Sequence, residues 1–226
     1  MNSNFIRKLI YRTRKIIRNS KNRFRTSEEV FTEIYEKKLW SGISKSGSGS
    51  DLAQTESIRI ELPKLLKRFQ IFSILDIPCG DFYWMKYLDL NSISYIGGDI
   101  VSDLIKKNNE KYSNQKRKFV IINILEDPLP KVDLILCRDL LVHFSYNELN
   151  RAIANLKKSK SKYLLTTSFV NRTNNKNITK GDWRPINLIL KPFNFPPPLQ
   201  IINENYLEEG EKFSDKSLCL WKISEF

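Results

Sequence analysis

The chain has 226 residues, of which 41% are hydrophobic and 12% aromatic, and its formal net charge is +13. This composition is typical of a globular protein rather than a disordered one, and the length suits one domain plus an extension. No apolar run of about 18 residues is present and the N-terminus lacks the apolar segment of a secretory signal, so we predict a cytoplasmic protein without a membrane-spanning helix.

The positive charge is concentrated at the N-terminus. Residues 1–25 contain nine Lys or Arg and no acidic residue, which leaves only +4 for the rest of the chain. Apolar residues at helical spacing over residues 5–17 predict a basic amphipathic helix in this extension. Such a helix lies on anionic lipid, grips a nucleic-acid backbone, docks on a partner or stays solvated. Its large apolar face favours an anionic membrane surface at the inner face of the membrane over nucleic acid.

Residues 26–70 are predicted to form a helical cap. Thr26 precedes an apolar-periodic helix that runs to about Trp40, and a Gly/Ser loop follows at Ser41–Ser50. Asp51 opens a second helix towards Phe69, with Pro63 as a kink or break. Composition alone favours a flexible linker for the loop, although exposed amides at the following helix would also attract an anion.

Strands and helices alternate from Ile71 onwards, which predicts an α/β, Rossmann-like doubly wound sheet. Phe82–Leu88 is predicted as the first crossover helix. Polar residues follow four successive strands and define one cleft at their carboxyl ends: Asp76, Asp99, Asn123 and the pair Arg138 and Asp139. Asp99 stands where ribose hydroxyls are usually bound, and it would also serve as a helix N-cap.

The C-terminal part completes the sheet. A helix is predicted at Ser145–Lys158 and a fifth strand at Tyr163–Phe169. The long insertion over residues 171–198 begins at the ligand edge, and we predict that it is an acceptor-recognition lid, with a proline-ordered surface loop as the alternative. Two closing strands are predicted at 198–204 and 216–223.

Several motifs resemble those of the class I S-adenosylmethionine-dependent methyltransferases: residues 75–80, residues 96–100, and Asn123 with residues 127–130. A narrower set resembles a bacterial subgroup partly encoded among surface-polysaccharide genes: residues 44–50, 137–139, 181–185 and 192–196. The resemblance extends from about Trp40 to the C-terminus. It implies a methyltransferase domain at 71–226, with a seven-stranded, mostly parallel sheet whose last strand is antiparallel.

The resemblance also implies S-adenosylmethionine as cofactor, covered by the Gly/Ser loop. The implied cofactor-binding residues are Trp40, Gly47, Asp76, Pro78, Gly80, Asp81, Asp99, Ile100, Asn123, Ile124 and Arg138. The first turn departs from the family, which often has three glycines where this chain has Pro78, Gly80 and Phe82. Because proline lacks an amide donor and phenylalanine fills space, the amino-acid end of the cofactor must be held differently.

The predicted reaction is O-methylation of a sugar or other small glycan-related acceptor, without a metal. His143 is the first candidate for the base, with Asp139 and Asp182 as further candidates. A lone histidine beside Phe144 is equally typical of a core residue. Trp183, Arg184 and Asn194 are predicted to bind the acceptor, by stacking and by hydrogen bonds.

Two other functions remain open at this point. The sequence pI of about 9.6 would suit an RNA methyltransferase, although the basic extension holds most of the charge. The second alternative is a non-catalytic, methyltransferase-like binding module. It is disfavoured because Asp76, Gly80 and Asp99 are all present, which argues against loss of cofactor binding. The sequence gives no indication of the oligomeric state. The cysteines Cys79, Cys137 and Cys219 lack metal-ligand spacing and are predicted to be buried free thiols.

Overall fold

The structure is a computed structural model that describes residue 13, residues 17–206 and residues 208–226, without the side chains of residues 208 and 209. The predicted amphipathic helix over residues 5–17 lies almost entirely outside this range. Residues 17–22 are helical. The predicted domain boundaries after residues 25 and 70 stay predictions.

The core of the fold is a seven-stranded sheet in the order β3-β2-β1-β4-β5-β8-β6. The strands of the chain are β1 (Ser73–Asp76), β2 (Ser94–Asp99), β3 (Arg117–Ile121), β4 (Leu134–Cys137), β5 (Tyr163–Phe169), β6 (Gln200–Asn203), β7 (Glu208–Glu211) and β8 (Lys216–Lys222). Strands β1 to β5 pair in parallel, and β8 runs antiparallel to both β5 and β6. The predicted fold class is therefore confirmed.

Strand register brings the predicted polar residues to one edge. Asp76, the last residue of β1, pairs with Gly97 in β2 and with Leu136 in β4. Asp99 ends β2 two residues further on, and Arg138 follows β4 directly. Because parallel strands end on the same side of a sheet, these side chains share the carboxyl edge.

Beyond residue 22, the described residues form four α-helices around the sheet: α1 (Ser27–Glu36), α2 (Glu56–Arg68), α3 (Ser102–Tyr112) and α4 (Tyr146–Lys158). Thr26 and Ser145 cap α1 and α4 through capping boxes with Glu29 and Glu148. These two helices begin where the sequence predicts, whereas α1 ends four residues before Trp40.

The predicted helix at Phe82–Leu88 is wrong. Phe82 has a positive φ of 57°, and Met85–Tyr87 forms a single 3₁₀ turn. The left-handed backbone places the Phe82 ring in the core, with its centroid 5.2–5.3 Å from those of Tyr95, Tyr112 and Phe119. Helical continuation through Phe82 would remove this packing.

The second helix also begins later than predicted, at Glu56 rather than Asp51. The Asp51 carboxylate accepts hydrogen bonds from the backbone amides of Ile43 and Ser44 at 2.8–3.2 Å. Asp51 therefore organises the preceding loop instead of opening a helix. Pro63 lies on the exposed face of α2, and the helix continues past it.

The Gly/Ser loop folds back onto the turn after β1. Asp81 accepts hydrogen bonds from the Ser44 hydroxyl at 2.9 Å, the Lys45 amide at 2.8 Å and the Ser46 hydroxyl at 3.2 Å. Gly80 has φ +54°, and a Cβ built there would lie 2.1 Å from Ser46 Oγ. An added side chain at this position would displace the Ser46 hydroxyl from Asp81, and the positive φ favours glycine.

The core is apolar and continuous on both faces of the sheet, and all three cysteines are buried free thiols, as predicted. Across the described part of the chain, none of the helices has both the length and the apolar character needed to cross a lipid bilayer.

Gly80→Ala should lower the free energy of unfolding by about 2–3 kcal/mol, because it adds backbone strain and displaces Ser46 from Asp81. Gly210→Ala is the matched control, since Gly210 has φ +62° with nothing within 4 Å of an added Cβ. That variant should lose about 1 kcal/mol from backbone strain alone. Urea unfolding measures both, and equal losses would contradict the packing of the loop on Gly80.

Candidate active site

A cleft of about 540 Å³ opens at the carboxyl edge of the sheet. It is lined by all of the predicted cofactor residues: Trp40, Gly47, Asp76, Pro78, Gly80, Asp81, Asp99, Ile100, Asn123, Ile124 and Arg138. Asp139, His143 and Trp183 line the same cleft, whereas Asp182, Arg184 and Asn194 are not among its lining residues. The structure therefore brings most of the predicted site together.

Two buried carboxylates, Asp76 and Asp99, lie at the ends of adjacent strands. Burial raises the pKa of Asp76 to about 7. The 2.5 Å hydrogen bond from the Tyr95 hydroxyl lowers this pKa, whereas the negative charge of the nearby Asp99 raises it further. Burial likewise raises the pKa of Asp99 to about 6, although the amides of Gly80 and Val101 donate to it at 3.2 and 3.1 Å. A cationic ligand would favour the ionised form of both groups.

The surroundings of these carboxylates are shaped by the first turn. Asn108 donates a 2.7 Å hydrogen bond to the Gly80 carbonyl and so fixes the turn from α3. Asp81 is engaged by the Gly/Ser loop and acts as its anchor. A Cβ at Gly47 would lie 3.3 Å from Trp40 Cβ, which places the loop against that ring. Phe82 is in the core and leaves the cleft open.

Beyond Asp99, the cleft wall is apolar with one amide. Ile100, Ile122 and Ile124 line it together with Asn123. Asn123 belongs to a local turn, since its amide donates to Asp127 at 2.7 Å and its side-chain oxygen accepts from Leu125 N at 3.0 Å. This arrangement suits a flat, largely apolar ring beside a polar edge.

Four charged side chains, of which Asp139 is partly exposed and the other three are buried, form an ion cluster at the other end of the cleft: Arg138, Asp139, Glu204 and Lys216. Arg138 forms a forked pair with Glu204 at 2.6 and 3.3 Å and donates to the Gly49 carbonyl at 2.7 Å. Lys216 lies 2.6 Å from Asp139 and 3.1 Å from Glu204. The cluster joins β4, β6, β8 and the Gly/Ser loop.

The ion cluster determines the protonation of Asp139. Burial alone would raise its pKa, but Lys216 and Arg138 outweigh this effect and lower it to about 2. Its carboxylate also contacts the Thr167 hydroxyl at 3.3 Å. Asp139 is therefore ionised, paired and a weak base.

His143 is half-buried at the end of a 3₁₀ turn, Leu141–His143. Its ring stacks on Trp40 with centroids 5.2 Å apart, and its Nδ1 lies 2.8 Å from the Asp182 carbonyl oxygen. Because a carbonyl only accepts, Nδ1 carries the proton and Nε2 keeps a lone pair. Burial lowers the pKa of His143, so its imidazole is neutral at pH 7.

The remaining predicted site residues have other contacts. The Asp182 carboxylate accepts a hydrogen bond from Asn19 at 3.2 Å and lies 3.9 Å from Arg18. The Arg184 guanidinium is buried and donates to three backbone carbonyls. Asn194 is an exposed turn residue with a φ of 52°. Arg184 and Asn194 do not line the cleft because the insertion turns away after Trp183, and the Asp182 carboxylate is directed towards Asn19 and Arg18.

The rest of the insertion packs on the body of the protein. Phe195 is buried and stacks on Phe226 with centroids 4.0 Å apart, and Phe193 meets Tyr146 edge-on at 5.3 Å. Residues 184–198 thus form the alternative, a surface loop packed on the body, instead of the predicted lid, and within the insertion Trp183 alone lines the cleft.

Sequence reasoning missed Glu204, Tyr206, Phe213 and Lys216. Tyr206, Phe213 and Lys216 line the cleft, and Phe213 meets Trp183 edge-on at 4.9 Å. The antiparallel register pairs Asn203 with Ser217, so its extension pairs Glu204 with Lys216. Opposite charges at adjoining ends of the two predicted closing strands were the available signal.

Asp76→Asn should stabilise the protein at pH 8. Between pH 3.8 and about 7 the folded state binds more protons at Asp76 than the unfolded state does, so this group makes stability fall as pH rises. Removing the charge should raise the free energy of unfolding by on the order of 2 kcal/mol at pH 8, and by much less at pH 5. Thermal unfolding at both pH values measures the effect.

Asp133→Asn is the matched control of opposite sign. Partial burial raises the pKa of Asp133, but hydrogen bonds from Phe72 and Ser73 lower it overall. Its contribution is therefore present above its unfolded-state pKa and is lost in acid, so this variant should be less stable at pH 8. Destabilisation by both substitutions at pH 8 would refute the assigned cost of burying Asp76.

Comparison with known proteins agrees with this geometry. Residues 75–161 match a family model described as a methyltransferase domain, and this segment is less than half of the chain. No curated protein matches the sequence.

Two solved structures share the fold. Human N-acetylserotonin methyltransferase, in complex with S-adenosylmethionine, is 13% identical with a TM-score of 0.59 over 88% of this chain and 60% of its own. The 1,6-didemethyltoxoflavin-N1-methyltransferase of Burkholderia thailandensis is 12% identical with a TM-score of 0.59, over 86% of each chain. This chain thus spans about 60% of the length of the human enzyme. At these identities the likeness concerns the fold, and together with the domain match it supports a class I methyltransferase domain.

Proposed function

We propose that the protein transfers the methyl group of S-adenosylmethionine to a hydroxyl of a sugar or other small, glycan-related acceptor. The observation that carries the proposal is the composition of one cleft. The strand-end carboxylates Asp76 and Asp99 lie in it together with the neutral His143 and the rings of Trp40 and Trp183. In this proposal the part of the cleft around Asp76 and Asp99 is the cofactor half, and the part around His143 and Trp183 is the acceptor half. Both belong to the same cleft.

The cofactor half fits S-adenosylmethionine. Asp99 would hold the ribose hydroxyls, Ile100 and Ile124 would flank the adenine, and Asp76 lies where a positive charge would be stabilised. When bound, the cofactor supplies an electrophilic methyl group whose leaving group is a neutral thioether. The volume of about 540 Å³ falls in the range of small-molecule sites.

The protein's own task is to orient the acceptor and to accept its proton. His143 Nε2 is the suitable base because Nδ1 donates to Asp182 O and the ring is neutral. Asp139 is disfavoured by its pKa of about 2 and by its pairing with Lys216. Asp182 is disfavoured because its carboxylate faces Asn19 and Arg18 instead of the cleft.

The acceptor half favours a neutral molecule. Trp40, Trp183, Tyr206 and Phe213 provide ring faces and edges for stacking against a sugar. Of the three cations among the described residues that line the cleft, Arg138 and Lys216 are already paired with Asp139 and Glu204, and the Lys45 ammonium lies over the Tyr35 ring, 5.6 Å from its centroid. A phosphate or carboxylate on the acceptor would have to compete with these carboxylates.

Calorimetry should detect binding of S-adenosylmethionine, and deuterated cofactor should label a neutral glycan or sugar hydroxyl in a mass-shift screen.

With the labelled acceptor, His143→Gln should retain cofactor binding while turnover falls by about 10²–10⁴-fold. Asp182→Asn serves as the control for a carboxylate outside the cleft and should retain most activity. Lack of cofactor binding would refute the methyl-transfer proposal, and full activity of His143→Gln would remove the histidine from its role.

We further propose that residues 1–25 bring the protein to an anionic membrane surface. The described part of this region exposes apolar side chains: Ile17 is 64% and Phe24 91% exposed. Leu39, 49% exposed, lines both the active-site cleft and a neighbouring groove of about 220 Å³ that also contains Ile17. Apolar residues among basic ones are typical of interfacial binding.

The protein should co-sediment with phosphatidylglycerol vesicles at low salt and not with phosphatidylcholine vesicles. Replacing Arg7, Lys8, Arg12, Arg14 and Lys15 by glutamine should weaken binding at least tenfold, since each basic residue contributes about 1 kcal/mol. The same replacement of five exposed lysines elsewhere, at positions 111, 116, 118, 157 and 158, should have little effect. Equal losses in both variants would indicate a general charge effect without a specific surface.

A further inference from the structure

Arg184 is a buried cation that donates hydrogen bonds to three main-chain carbonyls. Its Nη1 donates to the Leu141 carbonyl at 2.9 Å, its Nη2 to the Phe144 carbonyl at 3.0 Å and its Nε to the Lys176 carbonyl at 3.0 Å. Arg184 is only 5% exposed, and burial lowers its pKa to about 10. Burying a charged arginine in this way costs desolvation free energy, so a function that requires Arg184 would account for its presence.

The guanidinium donates hydrogen bonds to the turn that carries His143, before and after the histidine in sequence. Leu141 is two residues before the histidine and Phe144 is the residue after it. The backbone of the same segment adds three contacts: Arg184 N donates to Val142 O at 3.2 Å, Gly181 N donates to His143 O at 3.0 Å, and Asp182 O accepts from His143 Nδ1 at 2.8 Å. Five hydrogen bonds therefore join residues 181–184 to the turn that carries His143.

We propose that Arg184 is a positioning residue that fixes the orientation and the Nδ1–H tautomer of His143. The inference rests on the proposed function, in which Nε2 of that imidazole accepts the acceptor's proton. Without the hydrogen bonds of Arg184, residues 181–184 separate from the turn at Leu141–Phe144 and the Asp182 carbonyl moves away from His143 Nδ1. The imidazole proton then distributes over Nδ1 and Nε2.

The charges around His143 give this arrangement a second consequence. Asp139 on its own side and Asp182 in the facing segment favour the imidazolium, whereas the cation of Arg184 opposes it. From the N-terminal side the ring meets the uncharged rings of Trp40 and Phe31. Arg184 thus helps to keep the imidazole neutral as well as oriented.

His143 is the single histidine of the chain, so its imidazole can be observed by NMR without assignment. In ¹⁵N-labelled full-length protein prepared without a histidine tag, the wild type should show the Nδ1–H tautomer at neutral pH. Arg184→Gln should mix the tautomers and move the imidazole titration to higher pH by about half a pH unit or more. Arg184→Lys, which keeps the charge but not the fork, should mix the tautomers with a smaller change in titration.

Two results would overturn the proposal: an Nε2–H tautomer in the wild type, or an unchanged tautomer and titration in either folded variant. If Arg184→Gln fails to fold, the wild-type tautomer and Arg184→Lys still decide. The imidazole spectrum needs neither cofactor nor acceptor, whereas calorimetry with S-adenosylmethionine tests the proposed function. Failure of one is therefore distinguishable from failure of the other.

Discussion

The ion cluster of Arg138, Asp139, Glu204 and Lys216 is the interaction on which the site depends. Through Arg138 it joins the end of β4 to Glu204 after β6 and to the Gly49 carbonyl of the Gly/Ser loop, while Lys216 brings in β8. Its two cations and two anions compensate each other, yet burying them costs desolvation energy that an apolar contact would not. What the cluster provides is geometry, because loss of one member would leave an unpaired charge between the cofactor loop and the acceptor half.

Asp76 and Asp99 illustrate a second cost that the fold accepts. Burial raises the pKa of both carboxyl groups, so the ionised form of each one destabilises the folded protein near neutral pH. A structural role would be served better by neutral polar groups, whereas a site for a cationic ligand needs negative charge held away from water. The cost of these carboxylates in the free protein is consistent with a ligand that offsets it when bound.

The sequence reveals the sheet and its polar edge because both follow from local patterns. Apolar runs define the strands, and the residue after each run indicates the ligand edge, which is how Asp76, Asp99 and Arg138 are found. Phe82 escapes such reasoning, since its left-handed backbone depends on rings from β2, α3 and β3. Glu204 and Lys216 become partners only through strand register. The sequence predicts Arg184 at the acceptor because a guanidinium binds polar groups, but the path of the insertion turns it towards backbone carbonyls.

Charge placement bears on the choice between a small acceptor and RNA. A nucleic-acid substrate is bound mainly through phosphates, which require unpaired cations along an open surface. Arg138 and Lys216 are engaged by Asp139 and Glu204, and Arg184 is buried against the main chain. The cleft itself is flanked by Trp40, Trp183 and Phe213, whose rings suit stacking with a compact molecule. Because most of the surplus positive charge belongs to residues 1–25, the electrostatic attraction of the protein and the chemistry of its cleft are separate properties, and the net charge of the protein does not indicate the acceptor.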